Sequence, residues 1–285
     1  MVEQAFVEIT VQKAARTDSG STLESRQDQV AVEEPLEIRL GYGPAENRQQ
    51  RSISITMRTP GQDAELAAGF LLSEGIIRGA SDIETVRPSG APVGPLMLQN
   101  IIQIELRPGV AVDLARLERH FYTTSSCGVC GKSSLEALEM QQAPPLVEHE
   151  PRISRDVIHG LPDKLRQSQA VFDRTGGLHA AALFDAGGNL LALREDVGRH
   201  NAVDKLIGSQ LWADRLPLSD KGILVSGRAS FELMQKALMA GSPMLVAVGA
   251  PSSLAVELAV QFKMTLLGFV RDGRFNIYSG AWRLD

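Results

Sequence analysis

The chain is poor in cysteine. Only Cys127 and Cys130 occur among its 285 residues, so a disulfide framework cannot hold it together. It has no apolar run near the roughly 18 residues of a membrane-spanning helix, and no membrane association is expected. Its first residues, MVEQAFVEITVQKAAR, alternate in polarity instead of setting a charged region before an apolar one, as a secretory leader would. A cytoplasmic location is therefore expected. Positive charge is not in excess, since 29 Lys and Arg face 34 Asp and Glu for a net charge of -5. That balance removes the whole-chain electrostatic footprint of a nucleic-acid binder. No internal repeat or low-complexity tract is visible. With 44% hydrophobic and 22% charged residues, the composition is that of a globular protein, and the length suits one large domain or two ordinary ones.

The polar stretch Lys13 to Glu34 has no sustained apolar period, and residues 1–34 are expected to form a flexible arm. A smaller N-terminal α+β domain is expected over 35–145. There PLEIRLGYG and RSISITMRT alternate as half-buried strands do, and DAELAAGFLLSEGII carries apolar residues at helical spacing behind Asp63 as the expected N-cap. DIETVRPS and NIIQIELRP read as further strands, and VDLARLER as a short helix. After the Pro-rich connection QQAPPLVEHEPR the pattern changes. Over 146–285, a helix (SRDVIHGLPDKLRQSQ) and a hairpin around Ala186-Gly187-Gly188 precede apolar strands that alternate with helices of about a dozen residues. This is the signature of a three-layer α/β sheet. LGFVRDGRFNIYSG closes the chain as two strands about an Asp272-Gly273 turn.

The sharpest chemical feature is TTSSCGVCGKSS. Gly128 and Gly131 free its backbone, while Lys132 and a helix starting at Ser133, with Glu136 in capping-box spacing, favour thiolate over thiol. Placing the only two cysteines in one Cys-x-x-Cys by chance has a probability on the order of one per cent. A structural zinc site would have to recruit two of His120, His149, His159, His179 and His200, none of them paired at finger-like spacing; no structural metal is expected. A thioredoxin-like dithiol is the competing redox reading, although its motif normally follows an early strand.

A second cluster comprises Glu195, Asp196, Arg199, His200, Asn201, Asp204 and Lys205, at the strand-to-helix junction where open α/β sheets bind ligands. Ser226-Gly227-Arg228 ends a buried strand and opens a helix, a geometry suited to an anion. Ala250, Pro251, Ser252 and Ser253 repeat it. Near the C-terminus, FVRDGR offers Phe269 as a stacking surface and Arg271 and Arg274 as paired cations.

Taken in order, TTSSCGVCGK, GGLHAAALFD, EDVGRHNAVDK, LVSGRASFELMQKA and GFVRDGR closely resemble the formate dehydrogenase accessory sulfurtransferase family, the FdhD/NarQ group, from about residue 35 to 285. The resemblance implies a sulfur carrier that receives persulfide sulfur from a cysteine desulfurase. It would pass that sulfur to the molybdenum of a bis(molybdopterin guanine dinucleotide) cofactor, the bound substrate, before insertion into formate dehydrogenase. The resemblance further implies a C-terminal domain similar to cytidine deaminase, Cys127 as the persulfide-bearing residue with Cys130 as its partner, and cofactor contacts at Phe269, Val270, Arg271, Asp272, Gly273 and Arg274. Arg228 and His200 join them as candidate cofactor residues. A homodimer is the expected assembly, and a free guanine nucleotide is expected to mimic half of the cofactor. Deaminase chemistry itself is not expected. It needs H-x-E and P-C-x-x-C, whereas here His200 is followed by Asn201 and Ala202, and Ser126 precedes Cys127. A non-catalytic chaperone for the cofactor is the remaining alternative.

Overall fold

The structure, a computed structural model, describes residues 5–17, 20–113 and 143–285. The cysteine loop, the helix expected after it and residues 114–119 of VDLARLER lie outside the described residues. Among the described residues twelve strands form three sheets.

The first two strands correct the expectation for residues 1–34. β1 (Phe6–Thr17) and β2 (Gly20–Ala31) pair antiparallel in one unbroken register from Phe6↔Ala31 to Thr17↔Gly20. A backbone ladder needs no apolar period, and here polar side chains reinforce it. Gln27 Nε2 donates to Thr10 Oγ1 at 3.0 Å, Gln29 Nε2 to Glu8 Oε1 at 3.2 Å, and Lys13 stands opposite Glu24. The hairpin is anchored at its base, where the Arg174 guanidinium lies 4.9 Å from the Phe6 ring centroid.

The second sheet has the order β4-β3-β6-β5, formed by β3 (Glu34–Tyr42), β4 (Gln49–Arg58), β5 (Ile83–Ser89) and β6 (Ile101–Leu106). Alternation puts Leu36, Ile38 and Leu40 on its buried face. α1 (Asp63–Ser73) follows β4. Its N-cap is Gln62, with φ 54°, and not Asp63 as expected. Asp63 is diverted by the buried Arg58, whose Nε and Nη2 bind its two carboxylate oxygens at 3.0 and 2.9 Å.

The third sheet has six strands in the order β8-β7-β9-β10-β11-β12: β7 (His179–Phe184), β8 (Leu190–Asp196), β9 (Gly222–Val225), β10 (Met244–Ala247), β11 (Thr265–Arg271) and β12 (Arg274–Ser279). β9, β10 and β11 run parallel, and the outer pairs run antiparallel. The segment read as a helix from Ser154 is α2 (Arg155–Ser168), and a short further helix, α3 (Ala170–Thr175), follows it. α4 (Arg199–Trp212), α5 (Phe231–Met239) and α6 (Ser253–Gln261) alternate with the parallel strands. One sheet face buries Ala182, Leu224 and Val246 with Ile158, Leu161 and Leu165 of α2. The other buries Ala181, Val225 and Leu245 with the residues of α4, α5 and α6, and this core continues without a break into α1 and the four-stranded sheet.

The join depends on two glycines. A Cβ at Gly69 of α1 would stand 1.9 Å from the Asp204 carbonyl oxygen, and a Cβ at Gly208 of α4 would stand 1.9 Å from the Glu65 carbonyl oxygen. The two helices therefore meet backbone to backbone, and only residues without a side chain fit. Replacing Gly208 by Ala is expected to force them apart and lower stability by about 2–3 kcal/mol or more. Gly160→Ala, on a helix surface with open space around it, is expected to raise stability by about 0.5–1 kcal/mol. Urea unfolding of the two variants checks the contrast, and a neutral Gly208→Ala would contradict the tight crossing.

Candidate functional site at one edge of the six-stranded sheet

Parallel strands share a carboxyl edge, so β9, β10 and β11 deliver residues 226–230, 248–252 and 269–274 to one side of the molecule. β7 runs antiparallel to β9 and starts there with His179, while β8 ends there with Asp196 and leads into α4. The strand exits are stitched together. Gly249 N–H donates to Gly227 O at 2.9 Å, Ala229 N–H to Ala250 O at 3.1 Å, and Phe269 N–H to Gly249 O at 3.0 Å. Glycines allow this closeness: a Cβ at Gly249 would lie 2.9 Å from Gly227 O, and one at Gly268 would lie 2.9 Å from Pro251 Cδ.

The sequence candidates separate on this frame. His200, Arg228, Phe269, Arg271, Asp272, Gly273 and Arg274 come to the same edge. Arg271 and Arg274 are directly opposite across the hairpin, both exposed, and the Arg271 guanidinium lies 5.9 Å from the Phe269 ring centroid. Asp272 and Gly273 take positive φ, 53° and 68°, as the tight turn requires. Phe269 also has positive φ, 55°, beside a register shift in β11, so its ring departs from the strand's alternation. Val270 is corrected: its side chain is 0% exposed, packed beneath the sheet with Leu267 and Val246. Its side chain cannot touch a ligand at the edge. Cys127 and Cys130 lie outside the described residues.

Much of the polar cluster after β8 holds the frame. Asp196 is fully buried: its Oδ1 accepts from Gly198 N–H at 2.8 Å and Asn201 Nδ2 at 3.0 Å, and its Oδ2 accepts from Thr59 N–H at 3.1 Å and lies 2.7 Å from Lys205 Nζ. Asn201 Nδ2 also donates to Met57 O at 2.7 Å, and Lys205 Nζ to Thr59 O at 2.8 Å. Glu195 receives the N–H groups of Val171 and Phe172 at the start of α3, and Ser226 Oγ accepts from Ala180 N–H. These groups have structural partners. Arg199 differs, because its Nε is buried at the head of α4 with no hydrogen-bond partner. Gly198 caps that helix without a side chain. A free guanidinium donor at a helix N-terminus without a side-chain cap, with Arg228 exposed after β9 at the same sheet edge, suits a phosphate.

Glu74, Glu232 and Lys236 escaped notice in the sequence because the residues they meet, Asp204 and His200, belong to another helix. Asp204 is buried against Lys236 of α5, which bonds both its oxygens at 2.8 Å and lies 3.8 Å from Glu74. Burial pushes the Asp204 carboxyl up to about 6, with Lys236 pulling in the opposite direction. For Lys236, burial works against the charge, but the fields of Asp204 and Glu74 outweigh it and raise its pKa. Both groups are thus ionised at neutral pH. His200 Nε2 faces Ser230 Oγ at 3.4 Å and Glu232 at 3.9 Å. Burial, then the Lys236 and Arg199 charges, lower its pKa to about 4, against the pull of Glu232. His179 is lowered by burial and by Arg199.

Fold and edge together define a mixed α/β protein with a polar, glycine-stitched site at the carboxyl ends of its parallel strands. Residues 31–285 match the FdhD/NarQ family, and the chain belongs to that family. It is 51% identical over 274 residues to "Sulfur carrier protein FdhD" of Streptomyces coelicolor, covering 95% of this chain and 94% of that protein. It is 48% identical over 280 residues to the protein of the same description from Mycobacterium tuberculosis, covering 96% and 98%. A solved structure described as a formate dehydrogenase accessory protein, from Desulfotalea psychrophila, superposes with a TM-score of 0.69 at 25% identity, covering 98% of this chain and 99% of that one. Among the described residues no helix is long and apolar enough to cross a membrane.

A histidine with a depressed pKa stays neutral in the native state but is protonated when unfolded below about 6.5. Its contribution to stability is therefore complete above that pH and is lost as pH falls toward 4. Asp204, raised to about 6, acts with the opposite sign between about 4 and 6. The His200 ring is expected to keep its neutral NMR shifts down to about pH 5, and the stability advantage of wild type over His200→Gln should shrink between pH 7 and 5. A midpoint near 6.5 would contradict the described surroundings of His200.

Proposed function

We propose that this protein is a sulfur carrier. It takes persulfide sulfur from a cysteine desulfurase and hands it to the molybdenum of a bis(molybdopterin guanine dinucleotide) cofactor needed for formate dehydrogenase activity. The observation that carries the reading is the sheet edge: an unpartnered buried Arg199 Nε, an uncapped helix start, the Arg271–Arg274 pair and the Phe269 ring stand on one side of the fold. A guanine dinucleotide combines phosphates with flat rings, and these residue types suit both. The curated relatives' shared description as sulfur carriers, and the structural neighbour's as a formate dehydrogenase accessory protein, support the same reading. The order of the six-stranded sheet, with an antiparallel pair beside three parallel strands, supports a deaminase-like arrangement for the C-terminal half. We further infer a cytoplasmic protein that acts as a homodimer.

The chemistry rests on Cys127. Its thiolate attacks the outer sulfur of the donor persulfide, the donor's S–S bond breaks, and the donor cysteine leaves as thiolate while Cys127 holds the outer sulfur. Lys132 favours the thiolate form required for this attack. Once cofactor is docked, Cys130 thiolate can attack the inner sulfur at Cys127. The outer sulfur then leaves as hydrosulfide, and the two cysteines close a disulfide, having supplied the two electrons. The Arg228, Arg271 and Arg274 guanidinium groups would hold phosphate, and Phe269 would stack on a ring.

The expected outcome of loading with a desulfurase and cysteine is one cyanide-releasable sulfur on the peptide containing Cys127. It is lost in Cys127→Ala and kept in Cys130→Ala. Peptide mass mapping checks this. Sulfur that persists in Cys127→Ala and vanishes in Cys130→Ala would reverse the assignment, and full activity of formate dehydrogenase supported by Cys127→Ala would favour a cofactor chaperone instead.

A further inference from the structure

The β1–β2 hairpin is fixed to the molecule at its base. Ala5 and Val32 are buried there, Val32 N–H donates to Ala5 O at 2.9 Å, and Arg174 lies over the Phe6 ring. The last four residues of β2, 28–31, are half-buried, whereas residues 20–27 are exposed. At about 3.4 Å per residue, two strands of 12 residues reach about 40 Å from this base. A lone two-stranded hairpin is marginal in water, and this one carries Leu23 toward its far end with 68% of its surface exposed. Residues 6–30 lie before the stretch that matches the family, and sulfur carriage assigns the arm no task.

Among the described residues no third strand joins either edge of this sheet. Natural edges are blunted by shortness, proline, bulges or charge, lysine above all. Here the strands are long, neither contains a proline, and their register is unbroken. β1 is guarded by Lys13 and Arg16 toward its tip. On β2 the charges instead alternate in sign along one face, as Glu24, Arg26 and Asp28. Within the monomer Glu24 stands opposite Lys13, and Arg26 lies 3.6 Å from Asp28, with side chains 51% and 42% exposed. Glu8, on the other face, is bonded by Gln29. Ion pairs this exposed contribute little, so the charges of β2 remain available to a strand added beside it.

We propose that the β2 edge is the interface between two copies of this chain, paired antiparallel across a two-fold axis at Ser25. The proposal rests on the homodimer already inferred and names its surface. With the axis at Ser25, Glu24 meets the partner's Arg26, Arg26 meets the partner's Glu24, Leu23 meets the partner's Gln27 and Asp28 meets the partner's Thr22. The row Lys13, Glu24 and the partner's Arg26 then alternates in sign, and no like charges stand opposite on the two β2 strands. The other register of equal overlap puts the axis at Arg26. It would set Arg26 against the partner's Arg26 and Glu24 against the partner's Asp28, so the sign pattern selects the first. Joined in this way, the two hairpins make one four-stranded sheet, and neither stands alone in water.

Light scattering on the full chain, in low salt where surface charges are least screened, measures the association. The wild type is expected to be a dimer. Glu24→Arg and Arg26→Glu, both at exposed positions, each turn the two symmetric attractions into repulsions and are expected to weaken the dimer about tenfold or more. Mixed in equal amounts, the two variants complement each other and are expected to recover association. A monomeric wild type would overturn the homodimer and this interface together. Dimers that persist in both variants, or variants that stay apart when mixed, would overturn the interface alone. Sulfur loading at Cys127 is read separately by peptide mass, so the carrier reading stands or falls on its own.

Discussion

The buried carboxylate of Asp196 is the constraint on which the architecture turns. It closes the last strand of the β7–β8 hairpin, accepts the Gly198 N–H that opens α4, and accepts Thr59 N–H from the segment after β4. Lys205, one and a half turns into α4, neutralises it at 2.7 Å while donating to Thr59 O. A charge this deep is tolerable because donors from both halves of the chain surround it. Removing either partner would leave the other charge buried and unpaired, at a cost of about 3–5 kcal/mol. The glycine crossing of α1 and α4 completes the join. Further along α4, Gly69 and Gly208 bring the helices into backbone contact, and Arg194 binds Glu65 of α1 at 2.5 and 2.8 Å.

The position of α4 fixes what stands at the sheet edge. Because Asp196 and Asn201 hold the first turn, Arg199 and His200 are presented at the strand exits without a side-chain cap above them. The neighbouring exits carry glycine at 227, 249 and 268, so three loops stay close enough to exchange backbone hydrogen bonds. The arginine hairpin stands beyond them on β11 and β12. The arrangement separates roles by burial. Carboxylates with several donors hold the frame, and the arginines at 228, 271 and 274 are exposed at the edge.

Legibility in the sequence followed the range of the interactions. The strands and helices of the C-terminal half stood out because buried strands and short helices alternate there, and the Asp272-Gly273 turn was legible from its residue types alone. The hairpin of Phe6–Thr17 with Gly20–Ala31 was not legible, since a ladder of polar residues has no apolar period to reveal it. Asp63 looked like a cap because the sequence could not show Arg58 holding its carboxylate. At the site, Arg228, His200 and the arginine hairpin could be read from local pattern. Val270 could not be separated from them without knowing which way its side chain turns. Glu232 and Lys236 lie one turn apart on α5, but Glu74 follows α1 and Asp204 belongs to α4, and nothing local in the sequence links the three helices.

The central claim is that the sheet edge is built for a guanine nucleotide's phosphates and base. Titration calorimetry with GDP, standing for half of the cofactor, and with ADP tests it most directly, on wild type and Arg274→Ala. A pocket that pairs the guanine edge leaves polar groups unmatched when adenine enters. GDP is expected to bind measurably, ADP much more weakly, and Arg274→Ala to weaken GDP. Equal affinity for the two nucleotides, or an unchanged GDP affinity in Arg274→Ala, would contradict the account and leave the hairpin as ordinary surface.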